Sequence, residues 1–336
     1  MATSTARIFS LPTAELHLHI EGTLEPDLVF ELAERNGVAL PFESVEALRE
    51  RYHFTSLQSF LDLYYDCMAV LRTREDFRTL GERYLDRAYE QGVRHAEIFF
   101  DAQAHATRGV DPEDVLDGLL DALGSGTQRG ITGGLILSFL RDRPVPEALQ
   151  TLESLAHRAG DLLGVGLDSA EVGYPPRLFT PVFARAKELG LRLVAHAGEE
   201  GPASYVREAL DLLGAERIDH GIRSLEDPGL IERLRRERIP LTVCPFSNVK
   251  LAVIPRLAEH PILDLLDHGI VATVNSDDPA YFGGYLADNM AGLADAFPAL
   301  DGALERLARN SVDASFASGE RKAELHALID EWASRA

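Results

Sequence analysis

The chain has 336 residues, of which 46% are hydrophobic, so it is long enough to bury a large core. Its formal net charge of −21 argues against a nucleic-acid partner and favours an acidic, solvated surface. Only Cys67 and Cys244 are cysteines, and neither belongs to a CxxC pair, which argues against a disulfide scaffold or a thiolate zinc site.

The sequence shows neither a targeting segment nor a membrane span. The first ten residues are polar and mixed, and no run of about 18 apolar residues occurs. We therefore expect no membrane partner and a cytoplasmic location. No Pro/Gly-rich linker interrupts the chain, so residues 1–336 are expected to form a single domain, whose oligomeric state stays open.

Strand-like apolar runs alternate with helical patterns along the whole chain. The predicted strands are residues 15–20, 95–100, 133–139, 165–169, 192–196, 217–220, 241–245 and 271–275. The later strands recur about every 25–30 residues, as βα units require. The expected fold is α/β, a (β/α)8 TIM barrel, in which active sites lie at the carboxyl ends of the strands.

Helical patterns fill the gaps between these strands. Pro26 is placed as the first residue of a helix that ends at Gly37. Residues 56–92 are longer than one crossover helix, so two extra helices are predicted after strand 1. Leu57, Phe60, Leu61, Tyr64 and Met68 recur in this segment at helical spacing. This stripe is interpreted as core packing; the alternative is that its N-terminal end also covers the pocket.

The first polar cluster lies at the end of strand 1. His17 and His19 are two residues apart, so both side chains point to the barrel interior and can bind one metal ion. A hydrogen-bonded pair of core histidines is the alternative. Gly22 follows Glu21 and is expected to let the chain turn out of the barrel.

Two further clusters end strands 5 and 6. His196 offers a third imidazole, and Glu199 follows it where glycines free the backbone, as a carboxylate that can shuttle protons. His220 can hydrogen-bond a hydroxide held at the metal. The alternatives are a solvated loop acid for Glu199 and a structural histidine for His220.

The last cluster follows strand 8. Asp277 and Asp278 are adjacent and would face opposite sides of an extended strand, so both reach one site only if Pro279 helps to break the strand. A plain turn is the alternative. Three histidines and one carboxylate suit zinc, with iron, cobalt or manganese as the alternatives. No lysine is placed to bridge a second ion, so we expect one Zn²⁺ per chain.

These residues resemble the adenosine/adenine deaminase family of metal-dependent hydrolases. The matching segments are residues 11–22, 196–199, 218–221, 243–248 and 274–279. The resemblance implies that His17, His19, His196 and Asp277 hold zinc. It also implies three roles at the purine: Glu199 protonates N1, His220 orients the attacking hydroxide, and Asp278 hydrogen-bonds the imidazole edge.

One departure from the family pattern bears on the substrate. Glu21 stands where adenosine deaminases usually have an aspartate that contacts the ribose, and the longer side chain is expected to fill the ribose subsite and leave room for the free base. Residues 166–176 and 275–285 resemble the adenine deaminase branch. We therefore expect zinc-dependent deamination of adenine in purine salvage. The alternative substrates are adenosine, an N6-modified adenine or another 6-aminopurine. Asp101, Ser138 and Glu171 either line the pocket or lie behind it.

Overall fold

A computed structural model describes residues 4–335. Within them, eight parallel strands form one sheet in which every strand pairs with its neighbours in chain order. The strands are β1 Thr13–His19, β2 Val93–Phe100, β3 Thr132–Leu140, β4 Gly164–Asp168, β5 Arg192–Ala197, β6 Arg217–His220, β7 Leu241–Val243 and β8 Ala272–Val274.

The first and last strands meet through the residue that follows β8. Leu18 pairs with Asp277, whose amide donates to the carbonyl of His17 at 3.1 Å, while the amide of His19 donates to the carbonyl of Asp277 at 3.0 Å. These bonds bring the two ends of the sheet together. The predicted (β/α)8 TIM barrel is confirmed.

Helices connect the strands and cover the outside of the barrel. They are α1 Thr5–Phe9, α2 Pro26–Asn36, α3 Val45–Arg49, α4 Leu57–Met68, α5 Arg74–Glu90, α6 Ala102–Ala106, α7 Pro112–Gln128, α8 Val145–Leu155, α9 Thr180–Glu188, α10 Ala203–Glu208, α11 Pro228–Glu237, α12 Pro245–Lys250, α13 Ile262–Asp267, α14 Pro279–Phe282, α15 Leu286–Ala296, α16 Leu304–Ala314 and α17 Gly319–Ser334. None of the helices in residues 4–335 combines the length and the apolarity that crossing a bilayer requires.

The predicted insertion after strand 1 is confirmed. Helix α2 ends at Gly37 in the left-handed conformation, and α4 and α5 begin after the caps Ser56 and Thr73. The short helix α3 between α2 and α4 was not anticipated. Predicted strand 7 was too long, because Pro245 is the first residue of α12 and cannot donate to a strand ladder.

A buried ion pair fills the barrel below the carboxyl ends of the strands. Arg217 opens β6 and donates from Nη1 to Glu97 Oε2 on β2 at 2.5 Å, and from Nη2 to the carbonyl of Leu16 at 3.0 Å. Both charged side chains are completely buried. A buried pair of this kind is tolerated only when further hydrogen bonds satisfy it, and it forms a fixed floor beneath the polar cluster above.

Candidate active site

Four predicted ligand residues converge at the carboxyl end of the barrel. His17 and His19 come from β1, His196 from β5, and Asp277 from the segment after β8. One ligand atom of each lies within 4.8 Å of the others. The Asp277 Oδ1 atom lies 3.3 Å from His17 Nε2 and 3.6 Å from His19 Nε2, and the Nε2 atoms of His19 and His196 are 3.2 Å apart.

The other nitrogen of each imidazole faces an oxygen atom. The Nδ1 atom of His17 lies 3.2 Å from the carbonyl of Thr242, that of His19 lies 3.5 Å from Asp168 Oδ2, and that of His196 lies 3.5 Å from Asp219 Oδ2. Oxygen partners at Nδ1 favour the tautomer that carries its proton there. The Nε2 atoms of the three imidazoles then carry lone pairs that face one another. A cation bound between them would stabilise this arrangement.

The charges at the cluster also suit a metal ion. Burial, followed by the neighbouring His196, lowers the pKa of His19 to about 3. Burial alone would raise the pKa of Asp277, but His17 and His220 bring it well below its ordinary value. A neutral imidazole at His19 and an ionised carboxylate at Asp277 are protonation states that metal binding requires. Burial lowers the pKa of His17, but Asp277 and Asp219 outweigh it and raise that pKa, because two carboxylates there attract positive charge. The buried Nε2 atom of His17 has no hydrogen-bond partner within residues 4–335. These residues fit a zinc site.

The segment after β8 brings both aspartates into the cavity. Asp277 has φ 63°, the left-handed conformation, so it is the turn at this residue rather than Pro279 alone that redirects the chain. Glu15 anchors the preceding residue, since its Oε1 atom accepts hydrogen bonds from the amide of Ser276 at 3.2 Å and from its hydroxyl. The strained backbone of Asp277 is held by its own hydrogen bonds to β1 and by the anchoring of Ser276 through Glu15.

Glu199 and His220 lie beside the ligand cluster. Glu199 Oε2 is 3.5 Å from His220 Nε2, and Asn248 donates from Nδ2 to Glu199 Oε1 at 3.2 Å. Burial raises the pKa of Glu199 well above its ordinary value, and the charges of Asp277 and Glu171 raise it further. Burial also lowers the pKa of His220 well below its ordinary value. A protonated carboxyl group beside a neutral imidazole is suited to donating a proton to a ring nitrogen.

Glu171 fixes the loop that carries Glu199. Its carboxylate accepts four backbone N–H groups: those of Gly198 at 2.6 Å, Glu199 at 3.1 Å, Glu200 at 3.0 Å and Gly201 at 2.7 Å. A buried carboxylate with several amide donors is a strong anchor. Of the two alternatives for Glu171, the position behind the pocket is the one observed, because all four donors belong to the loop.

A cavity at the carboxyl end of the barrel opens onto these groups. Asp101, Asp168, Ser169, Glu199, His220 and Asp278 line its polar side. Helix α4 contributes Leu57, Phe60, Leu61, Tyr64 and Tyr65 on the apolar side. The stripe on α4 is therefore both core packing and cavity wall, because Phe60 and Tyr64 are buried as well as cavity-lining.

Contrary to expectation, Glu21 does not line the cavity, and Gly22 is required by a packing contact. Glu21 lies behind the cavity wall: its Oε1 atom accepts from the amide of Asp101 at 3.0 Å and from His105 Nε2 at 2.7 Å. Arg108 donates to the other nitrogen of His105 at 2.7 Å. Gly22 lies in the 3-10 turn Ile20–Thr23 in which the chain leaves β1, but it does not adopt positive φ. Glycine is needed there because Asp278 packs directly against it.

All seven predicted site residues lie within this one cluster. The supporting side chains were missed. Asp219 and Thr242 lie mid-strand and Asp168 ends β4, and each faces an imidazole or another polar group in the barrel. A polar residue inside an apolar strand is the signal that could have identified the first two, because burying such a group requires a partner. Ser138 is buried behind Gly166.

The family model described as adenosine deaminase matches residues 12–332. An adenine deaminase of Streptomyces coelicolor is 56% identical over 329 residues, which cover 98% of this chain and 97% of that protein. Another, from Rhodospirillum rubrum, is also 56% identical over 330 residues, 98% of this chain and 99% of that protein.

Two solved structures are also similar to this chain. The adenine deaminase from Arthrobacter aurescens has a TM-score of 0.95 and 53% identity, with 96% of this chain and 99% of that chain covered. A zinc-containing amidohydrolase from Burkholderia ambifaria has a TM-score of 0.87 and 27% identity, with 99% of this chain and 96% of that chain covered.

Proposed function

Since the chain belongs to the adenosine deaminase family, we propose that its buried histidine–aspartate cluster holds one zinc ion and serves the deamination of adenine. The reaction of this chain is the hydrolysis of adenine to hypoxanthine and ammonia, as its relatives at 56% identity and the structure at 53% identity indicate. The observation that carries the assignment of the site is the convergence of three imidazoles and one carboxylate within 4.8 Å.

Zinc is the finer part of this proposal. Support comes from the ligand set His17, His19, His196 and Asp277, because imidazole nitrogens and carboxylate oxygens are established zinc ligands. The similar amidohydrolase that contains zinc also supports it. When bound, zinc lowers the pKa of a water ligand to about 7 and so supplies a nucleophile at neutral pH.

The residues beside the ligands would then act on the purine. Glu199, protonated in its buried setting, donates a proton to N1 and so makes C6 more electrophilic. The neutral imidazole of His220, whose Nε2 atom lies 3.5 Å from Glu199 Oε2, orients the attacking oxygen. Asp278 holds the imidazole edge of the base. Water adds at C6, the amino group leaves as ammonia after gaining a proton, and the 6-oxo purine remains.

Adenosine and N6-modified adenines are the alternative substrates. The deciding experiment measures formation of the 6-oxo purine by the zinc-loaded chain from adenine, adenosine and N6-methyladenine in parallel, because the methylated base would release methylamine instead of ammonia. Metal content is determined on the same sample. Preference for adenine by about 100-fold or more in kcat/KM supports the proposal. Equal or better turnover of adenosine would overturn the substrate assignment and leave the metal site standing.

We further propose that the reaction serves purine salvage in the cytoplasm. The two cysteines support a reducing compartment, because Cys67 and Cys244 are both free and buried. Loss of growth on adenine as the only purine source, after deletion of the gene from its host, would test the pathway.

A further inference from the structure

Two acidic side chains on the cavity wall take no part in the reaction described above. Asp101 follows β2 and Asp168 ends β4; they are 2% and 3% exposed. A carboxylate oxygen of each and a ring nitrogen of His19 lie within 4.8 Å of one another. Both side chains line the cavity that receives the substrate.

These carboxyl groups have few hydrogen-bond donors. Within residues 4–335, no donor meets hydrogen-bond geometry at either oxygen of Asp168 or at Asp101 Oδ1, although the Ser138 hydroxyl and the carboxyl group of Asp101 are close to Asp168. The nearest ring nitrogen, His19 Nδ1, lies 3.5 Å from Asp168 Oδ2. Even if the pair shares one proton, acceptor oxygens remain unsatisfied. Buried acceptors of this kind are costly unless a partner supplies an N–H or O–H group.

The position of the pair identifies the part of the substrate that it faces. Gly22 packs against Asp278, and the adjacent Glu21 accepts a hydrogen bond from the amide of Asp101 at 3.0 Å. Asp101 and Asp278 are therefore neighbours on the wall. With N1 of adenine at Glu199 and its imidazole edge at Asp278, the next position along that edge is N9.

Free adenine and its nucleosides differ at this nitrogen. The free base carries a hydrogen on N9, whereas a nucleoside carries a carbon there. We propose that Asp101 and Asp168 accept a hydrogen bond from N9–H and thereby select the free base over 9-substituted purines. The inference rests on the proposed function and extends it to two residues that determine specificity.

A positioning role for Asp168 through His19 is the competing explanation, because the two side chains are in contact. It predicts that replacing Asp168 weakens metal binding and slows every substrate alike. A specificity role predicts a change in the ratio of two substrates that differ only at N9. Adenine and 9-methyladenine form such a pair, and the methyl group is far smaller than a ribose.

The first measurement needs no variant. Calorimetric titration of the zinc-loaded wild-type chain with hypoxanthine and with 9-methylhypoxanthine should give a Kd at least about 100-fold weaker for the methylated base. The second compares kcat/KM for adenine and 9-methyladenine in Asp101→Leu and Asp168→Leu, which keep a branched shape without an acceptor. Asp101→Asn and Asp168→Asn keep one acceptor oxygen. Asp142→Asn, an exposed site near the pair, is the matched control.

The compared quantity is kcat/KM for adenine divided by kcat/KM for 9-methyladenine. We expect this ratio to fall at least about 10-fold from its wild-type value in each Leu variant and to change less in the Asn variants. It should stay unchanged in Asp142→Asn. Zinc should remain near one ion per chain. A constant ratio with both rates reduced, or equal affinity for the two product bases, would overturn the inference. If the wild type does not turn over adenine, the proposed function is wrong. The Kd values for hypoxanthine and 9-methylhypoxanthine still test whether the site discriminates at N9.

Discussion

Gly22 and Asp278 are in direct contact across the closure of the barrel. A Cβ atom on Gly22 would lie 2.1 Å from Asp278 Oδ1 and 2.6 Å from its Cα atom, closer than side chains and backbone approach one another. Gly22 follows β1 and Asp278 follows β8, so this contact fixes the substrate-facing aspartate relative to the strand that carries two metal ligands. The contact requires a residue without a side chain.

Substituting Gly22→Ala should displace Asp278 and reduce kcat/KM for adenine by about 10–100-fold, because small misplacements of a binding group are costly. Overpacking should also lower the free energy of unfolding by about 1–3 kcal/mol. Steady-state kinetics and urea denaturation measure the two effects. Gly124→Ala is the control: this exposed residue of α7 has open space around it, so activity should be unchanged. Wild-type kinetics in Gly22→Ala would refute the contact.

Substituting Glu199→Gln should retain zinc and reduce kcat by about 10²–10⁴-fold, because the amide cannot donate an acidic proton to N1. Metal analysis and ammonia release measure the two properties. The neighbouring Glu200 is only partly buried and does not line the substrate cavity, so Glu200→Gln should keep kcat within about twofold. Turnover near the wild-type rate in Glu199→Gln would exclude the proposed proton transfer.

Substituting Glu171→Gln should loosen the loop that carries Glu199. Oε1 accepts one of the four hydrogen bonds and Oε2 accepts three, so an amide nitrogen at the first position removes one bond and at the second removes three. We expect the free energy of unfolding to fall by about 2–4 kcal/mol and kcat to fall more than KM rises. Glu208→Gln, which weakens an exposed pair with Arg177, should cost about 1 kcal/mol or less. Equal effects of the two substitutions would contradict the anchoring role.

Removing the metal with a chelator should abolish ammonia release and lower Tm, and added zinc should restore both. A ligand that binds only the folded state stabilises it by about 4 kcal/mol at a thousandfold excess over Kd. Asp277→Asn should mimic this loss in metal analysis and calorimetry. His157→Gln, at an exposed histidine outside the cluster, should leave zinc content and Tm unchanged. An unaltered Tm after complete metal removal would argue against the assigned ligand set.

The sequence by itself determined the barrel and the residues of the site. Alternating apolar runs and helical patterns predict βα units, and parallel strands bring their carboxyl ends to one face, so His17, His196, His220 and Asp277 had to meet there. Local signals also fixed details such as the end of α2 at Gly37, since few residues adopt the left-handed conformation easily.

Only the tertiary structure decided which groups support the site and how the wall of the cavity is built. The contacts of Glu171 with residues 198–201, of Glu15 with Ser276 and of Glu21 with His105 join segments 27 to 261 residues apart. Their partners are set by packing across the barrel rather than by spacing along the chain. The pairing of Asp101 with Asp168 also could not be predicted from the sequence. Asp101 follows β2 and Asp168 ends β4, and neither segment carries a pattern that shows which side chain it meets.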